Sequence, residues 1–405
     1  MRIGIIGGGA AGIIAAITCS NENNEVIIFE RNQECGKKIL MTGNGRCNYW
    51  NDDQELFHYE SSTPDLIEQL IDEDNGNCVL NLFKKLGIVP KIKNGYYYPF
   101  SNQATTIKNA LLLELKNKNV QIKNNFLVNN ILKNNEQFVI SSDEEKIIVD
   151  KLVLATGSKA SPKTGSDGFG YDILKSFGHS IRKPLPALVQ LKSIGDYLTV
   201  WNGVRTDCSV SLYENDKFIR KEEGELQLTN YGISGICVFN LSNYVTRGLE
   251  NKNLEDIYIN FLPFLENDYN EWFINQTIIT NKSLYELLRS VLNDKIVEVI
   301  FKIGNFSRKK KYIELSLIEQ QLVISLTTNF KVNIIGSNTF NESQVCSGGV
   351  LLNEINLNTM ESKIVKNLYV VGELLDITGD CGGYNLGIAW RTGLKAGKAL
   401  GDIND

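Results

Sequence analysis

The segment "RIGIIGGGAAGIIAAITC", residues 2–19, constrains the fold of this 405-residue chain more than any other. Residues 2–6 form an apolar run suited to a buried parallel strand, and Ala10–Cys19 is a run of small and apolar residues of helical length. Between them Gly7, Gly9 and Gly12 keep G-x-G-x-x-G spacing. In that pattern the first glycine permits a tight turn, the second lets the backbone approach a pyrophosphate, and the third lets helix and strand pack closely. The helix N-terminus at Ala10, Ala11 and Gly12 then offers unpaired N–H groups and a favourable dipole to the phosphates. Glu25–Glu30 reads as a second apolar strand, and Glu30, 18 residues after Gly12, is placed to accept hydrogen bonds from an adenosine ribose.

The same apolar start mimics a secretory leader, an arginine followed by a short apolar run. The glycine spacing outweighs that reading, so a mature N-terminus is expected. No stretch approaches the ~18 apolar residues of a membrane span, and no membrane partner is expected. The eight cysteines show no C-x-x-C pair, and the chain has two histidines, which excludes the usual zinc patterns; no metal is expected. Unpaired cysteines suit a reduced, cytoplasmic protein. A formal charge of −5 argues against a dedicated nucleic-acid binder, and the basic run "SRKKKY" (307–312) reads as a solvated helix end.

Further along, 64–86 has helical periodicity, "GIVPKIKNGYYYPF" reads as strand and turn, and 102–119 as a helix opened by polar residues. Short strands follow, ending in the buried strand 151–155. From about 187 to 245 the chain is strand-rich, and from 254 to 330 mostly helical. After 345 it returns to glycine-rich turns, a strand at 367–373 and a helix from about Leu386 to Leu400. The pattern predicts a discontinuous nucleotide-binding domain, 1–190 with 336–405. An inserted domain at 191–335 interrupts it, β-rich over 191–245 and mainly helical over 246–335.

Two late strand ends specify the nucleotide. "LVLATG" ends at Ala155, Thr156 and Gly157, and "LYVVGELLD" carries Gly372 and Glu373. Both punctuate FAD domains of the glutathione-reductase type, where a carboxylate after the last strand holds the ribityl chain. The helix starting at Asn385 and Leu386 would point its N-terminus at the flavin pyrimidine carbonyl, a dipole suited to reduced, anionic flavin. In "NNFLVNNI", Val128 would supply a backbone partner for adenine. The fold expected is therefore α/β, a Rossmann FAD-binding domain interrupted by a β-barrel-like and helical region.

Six blocks in order carry a resemblance across essentially the whole chain: "GKKILMTGNGRCNYWN", "ATGSKASPKTGSDGFGYDILKSFGH", "GELQLTNYGISG", "VCSGGV", "EINLNTMESK" and "GELLDITGDCGGYNLGIAWRTG". They resemble the BaiN/YhiN group of bacterial flavoproteins, the aminoacetone-oxidase-like NAD(P)/FAD-dependent oxidoreductases. The resemblance implies an FAD enzyme that reduces a conjugated C=C bond at the expense of NADH or NADPH. It also implies two alternatives, dihydrouridine formation in ribosomal RNA and oxidation of an amine. The substrate is accordingly a small molecule or ribosomal RNA. Two positions depart from the group's pattern: Ser161 stands where a tyrosine is usual, and Cys346 where a threonine is usual.

In this fold the loop after the acidic residue runs along the cofactor from pyrophosphate to isoalloxazine. Arg31 follows Glu30 directly, and Lys37, Lys38 and Arg46 are available to neutralise phosphates. Gly43, Asn44 and Gly45 allow close backbone approach, and Thr42 and Asn48 offer neutral hydrogen bonds. Cys47 sits where disulfide reductases keep a redox pair, but Cys35 is 12 residues away, so a dithiol relay is excluded. Cys47 is then a buried neighbour of the cofactor or a proton donor, and Tyr98 is a second candidate acid. Asp376 and Asp380 read as turn formers. No second G-x-G-x-x-G exists, since "GSDGFG" (165–170) has the wrong spacing, so no nicotinamide domain is expected and the donor would bind transiently.

Overall fold

The computed structural model describes residues 1–71, 76–253, 255–265 and 268–401. Five parallel strands form one sheet in the order Leu368–Val370, Lys151–Leu154, Arg2–Ile6, Glu25–Phe29 and Gln121–Lys123. Ile6 lies beside Phe29 on one side and Leu154 on the other. The Ile, Val and Leu runs of the inner strands are buried on both faces, as a parallel sheet covered on both sides requires. Their carboxyl ends bring Gly7, Glu30, Ala155 and Val371 to a single edge, where ligands of open α/β sheets bind.

On one face of this sheet, helix Ala10–Cys19 packs against the last helix, Tyr384–Gly401. The contact is made close by glycine. A Cβ on Gly393 would stand 2.5 Å from the Ala11 carbonyl oxygen, and one on Gly397 would stand 2.4 Å from Thr18 Cβ. The last helix starts at Tyr384, two residues before the start expected at Leu386. Asn385, in its first turn, bonds back to the preceding loop and fixes where the turn begins. A hairpin, Pro90–Lys93 with Tyr96–Pro99, turns at Asn94 and Gly95, both left-handed (φ 51° and 80°). The short strand Trp50–Asn51 joins it as a third strand.

By contacts the chain divides into two units, Met1–Pro186 with Ser343–Asp405, and Ala187–Glu342. The second unit is a closed six-stranded antiparallel barrel, in the order Leu191–Ile194, Gly232–Gly235, Lys217–Leu228, Arg205–Glu214, Glu255–Asn260 and Phe330–Ser337. Val210, Leu212, Leu226, Ile233, Ile257 and Val332 fill its interior, and Trp201 is fully buried against the rings of Tyr197 and Phe330. Helix Ile236–Glu250 lays Val238, Leu241 and Val245 into the same core.

This arrangement corrects the expected layout of the insert. The stretch 236–245, read as part of a β-rich half, lies in the helix Ile236–Glu250, and two barrel strands lie inside the half read as mainly helical. Strands of six and eight residues that pair only with distant partners carry little local signal. No helix of the described residues is long and apolar enough to cross a membrane.

Candidate cofactor and active site

The phosphate-binding turn shows three different reasons for its three glycines. Gly7 is left-handed (φ 102°), and a Cβ there would stand 2.5 Å from the Ala155 carbonyl oxygen. A Cβ on Gly12 would stand 2.1 Å from the Gly7 carbonyl oxygen, so the helix can cross the strand end only without a side chain. Gly9 differs. It caps the helix with extended backbone (φ −86°, ψ −169°), and a Cβ there meets nothing within 4 Å. Packing does not require glycine at position 9; an open cradle in front of a helix N-terminus does, if it is to receive a phosphate.

Glu30 is buried at the end of its strand. It accepts from the Gly8 N–H at 2.8 Å, the Asn32 N–H at 2.8 Å and Asn32 Nδ2 at 2.6 Å. A carboxylate has about four acceptor sites, so these bonds orient Glu30 and still leave capacity for ribose hydroxyls. Neither the N–H nor the C=O of Val128 is bonded to another backbone group among the described residues, which fits a free backbone edge for a base. Arg31 turns outward to Asp167 (2.5 Å) and the Gly165 carbonyl (3.0 Å), bracing the 165–167 loop. Lys37 is exposed, with its Nζ 3.3 Å from Asn32 Oδ1.

Lys38 does something the sequence did not signal. Its Nζ pairs with Glu373 Oε2 at 2.6 Å, and Ser158 Oγ donates to the same oxygen at 3.2 Å. Both contacts fall on Oε2, so Oε1 remains for a ligand hydroxyl. Gly372 precedes it in left-handed conformation (φ 68°), with its N–H bonded to Thr392 Oγ1 at 3.0 Å. Gly157 is left-handed as well, and a Cβ there would stand 2.5 Å from Ser166 Oγ. Thr156 and Ala155 lie on the same edge, beside Gly12 and Gly170. Cys346, at the position where a threonine was expected, is buried beside Ser158 and Glu373; burial pushes its thiol up.

The loop 42–48 is a chain of left-handed residues, Gly43 (φ 55°), Asn44 (φ 54°), Gly45 (φ 81°) and Cys47 (φ 58°). That explains the composition "GNG", since only Gly and Asn visit this region routinely. Thr42 Oγ1 donates to the Ile39 carbonyl at 2.7 Å. Asn48 Oδ1 is buried without a hydrogen-bond partner, an acceptor held ready for a donor on a ligand. Arg46 stacks over the Tyr98 ring (5.4 Å to the centroid), and Tyr98 is half-buried with its ring edge 3.8 Å from where a Gly43 Cβ would stand. Cys47 is fully buried, and burial pushes its thiol up to about 12 against a smaller lowering by a bond to Thr42.

At the far end, the Asn385 side chain closes a ring with the turn before it. Its Nδ2 donates to the Gly379 carbonyl at 2.7 Å, and its Oδ1 accepts from the Gly379 N–H at 2.9 Å. Its amide thus shapes the helix end, and Leu386 beside it is half-buried. Asp376 and Asp380 are more than turn formers. Asp376 is fully buried on Arg182 (3.2 Å), the Ser62 N–H and the Ser62 hydroxyl, with Glu60 on the other side of Arg182 at 2.8 Å. Asp380 is buried against His58. Sequence reasoning missed Asn32, Ser158 and His58; of these only His58, as one of two histidines, carried a visible signal. Among the described residues no cluster of His, Cys, Asp or Glu can hold a metal.

The open cradle at Gly9, the free edge at Val128, the half-free carboxylates of Glu30 and Glu373 and the orphaned Asn48 oxygen fit an extended dinucleotide such as FAD.

Comparison with known proteins gives a match of residues 1–399 to the HI0933-like protein Rossmann domain. The chain is 36% identical to the 3-dehydro-bile acid delta(4,6)-reductase of Clostridium scindens, over 99% of both chains. It is 30% identical to the ribosomal RNA dihydrouridine synthase of Escherichia coli, over 96% of this chain and 95% of that one. It is 28% identical to the enzyme of the same name from Haemophilus influenzae, over 96% and 95%.

Proposed function

The chain belongs to the HI0933-like Rossmann-domain family and is an FAD-dependent oxidoreductase, and from that premise we propose that it reduces a C=C bond conjugated with a carbonyl in a small molecule. The observation that carries this reading is the 36% identity, end to end, to a reductase whose name specifies such bonds. FAD, when bound, would supply the hydride, with NADH or NADPH as its transient reductant.

The chain's own residues then have separable tasks. Gly9 and the N–H groups that follow it receive the pyrophosphate, Glu30 the ribose, and Glu373, oriented by Lys38 and Ser158, the ribityl chain. Asn48 accepts a hydrogen bond through its buried oxygen. Lys38 offsets the charge of Glu373, so a carboxylate can stand in a half-buried site without repelling the phosphates. Tyr98 is the proton donor to the carbon next to the one that receives hydride, because its ring edge borders the glycine loop and the residue is only half-buried. Cys47 packs. The setting of this chemistry is the cytoplasm.

A second reading, reduction of a uridine in ribosomal RNA, is favoured by the two dihydrouridine synthases that match over 96% of the chain. One experiment separates the two: anaerobic stopped-flow reduction of the bound flavin by NADH or NADPH, then reoxidation by a steroid dienone, by undermodified ribosomal RNA, or by oxygen. Rapid reoxidation by the dienone alone supports the proposal, and rapid reoxidation by RNA alone replaces it.

A further inference from the structure

Both ring nitrogens of His58 face carboxylates. Nδ1 stands 2.9 Å from Asp380 Oδ2 and Nε2 stands 3.0 Å from Asp53 Oδ2. Two carboxylate acceptors call for two N–H donors, and only the imidazolium form has two. The ring is nearly buried, with 14% of the side chain exposed. It lies flat on Tyr384, centroids 4.4 Å apart and planes 21° apart, and touches Phe57 at 4.0 Å. Tyr384 is the first residue of the last helix. The backbone repeats the connection: the Asp380 N–H donates to the His58 carbonyl at 2.9 Å, and Thr378–Gly379 pairs with Tyr59–Glu60. His58 therefore joins the segment 53–60, the turn 380–383 and the amino end of the helix Tyr384–Gly401.

We infer that His58 is an imidazolium clamp, a positioning residue whose charge holds the 380–383 turn and the amino end of the last helix in the geometry that meets the flavin. The inference rests on the reading that this helix end faces the flavin. The cost of burying a cation is offset by two carboxylates rather than one, and a neutral ring could donate to only one of the two. Besides the two carboxylates and Phe57, Tyr384 from the helix stacks on the ring, and Tyr59 from the strand Tyr59–Glu60 stands edge-on to Tyr384 (5.5 Å between centroids). Tyr59 bonds Gln54 at 2.9 Å, and Arg391, from the same helix as Tyr384, bonds Gln54 at 2.7 Å. Burial alone would lower the His58 pKa, and the bonds and charges of Asp380 and Asp53 overcome it, leaving it above the usual 6.5. A raised histidine pKa means that the clamp's contribution is complete below about 6.5 and is lost as pH rises through the folded value.

The chain's two histidines make the test direct, because imidazole carbon–proton NMR spectra contain two sets of signals and His58→Asn removes one. In the wild type, the His58 signal is expected to titrate above 6.5, and in Asp380→Asn its midpoint should fall. In FAD-loaded protein, His58→Gln should weaken FAD binding about tenfold and lower the flavin midpoint potential, and it should erase a pH-dependent step in that potential. A His58 that titrates at or below 6.5 overturns the clamp. A raised midpoint combined with wild-type FAD affinity and potential in His58→Gln overturns the positioning role. Protein that binds no FAD while His58 titrates high supports the charged clamp and refutes the cofactor reading instead. Either His58→Asn or His179→Asn assigns the two sets of signals, so misfolding of one variant leaves the decision intact.

Discussion

Lys38 Nζ and Glu373 Oε2 stand 2.6 Å apart, although 335 residues separate them in sequence. The pair ties the loop after the second strand to the turn after the last one, at the edge where Gly7, Glu30 and Ala155 also arrive. Each side chain is about four-fifths buried, with 24% and 21% exposed, so the charges are only partly screened by solvent.

The pair sets the first prediction. Glu373→Ala should weaken FAD binding by roughly 1.5–3 kcal/mol, the usual worth of hydrogen bonds to a charged group. Lys38→Met should weaken it less, since Ser158 still orients the carboxylate. Fluorescence titration of the apoprotein measures both. Unchanged affinity in Glu373→Ala would remove this carboxylate from the cofactor site.

Gly9 and Gly12 should separate binding from folding. Gly9→Ala places its Cβ in open space on backbone that any residue adopts, so thermal stability should hold while FAD affinity falls. Gly12→Ala drives its Cβ to 2.1 Å from a backbone oxygen, so helix and strand must part and stability should drop by about 1–3 kcal/mol. Melting temperature and FAD titration on both variants check the contrast. Gly9→Ala with wild-type FAD affinity would show that the cradle takes no phosphate.

What the sequence made legible was what is local. The turn Gly7–Gly12, the strand before it and the acid at position 30 lie within one short β-α-β unit, and spacing alone expresses where they fall in it. The contact of Lys38 with Glu373, and that of His58 with Asp380, join residues more than 300 positions apart, and no local pattern encodes such a meeting. The barrel strands Glu255–Asn260 and Phe330–Ser337 were hidden for the same reason: each pairs across an intervening group of helices. Asn32 was invisible for another reason, because a polar residue after a strand looks like any turn until its amide is seen on Glu30.

The acid limb of stability should contain a contribution from Glu354. Burial opposes its charge, but bonds from the Ser180 N–H (2.9 Å) and contact with His179 Nδ1 (2.9 Å) hold the carboxyl below its usual 4.5. A lowered carboxyl pKa stabilises fully above the unfolded value, and that stability disappears as pH falls through the folded value. Urea unfolding from about pH 6 down to about pH 3 should therefore show a loss that Glu354→Gln reduces. An identical pH slope in the variant would mean that Glu354 does not contribute.

The last prediction separates Cys47 from Tyr98. Cys47 has no exposed surface, sits on left-handed backbone (φ 58°) and holds a thiol pushed up to about 12 by burial. Cys47→Ala should then cost about 1 kcal/mol of stability for the lost buried atom and leave both half-reactions near wild-type rates. Tyr98→Phe keeps the ring under Arg46 and removes only the hydroxyl. It should leave reduction by NADH or NADPH unchanged and slow the half-reaction with the unsaturated substrate by roughly 10²–10⁴-fold, the usual range for a general acid. The donor half-reaction needs no proton delivered to substrate carbon, so the contrast between the two half-reactions identifies the acid by itself. Slowing of the substrate half-reaction in Cys47→Ala but not in Tyr98→Phe would reverse the assignment. The buried thiol would then have to reach the substrate through a local opening of the 43–47 loop.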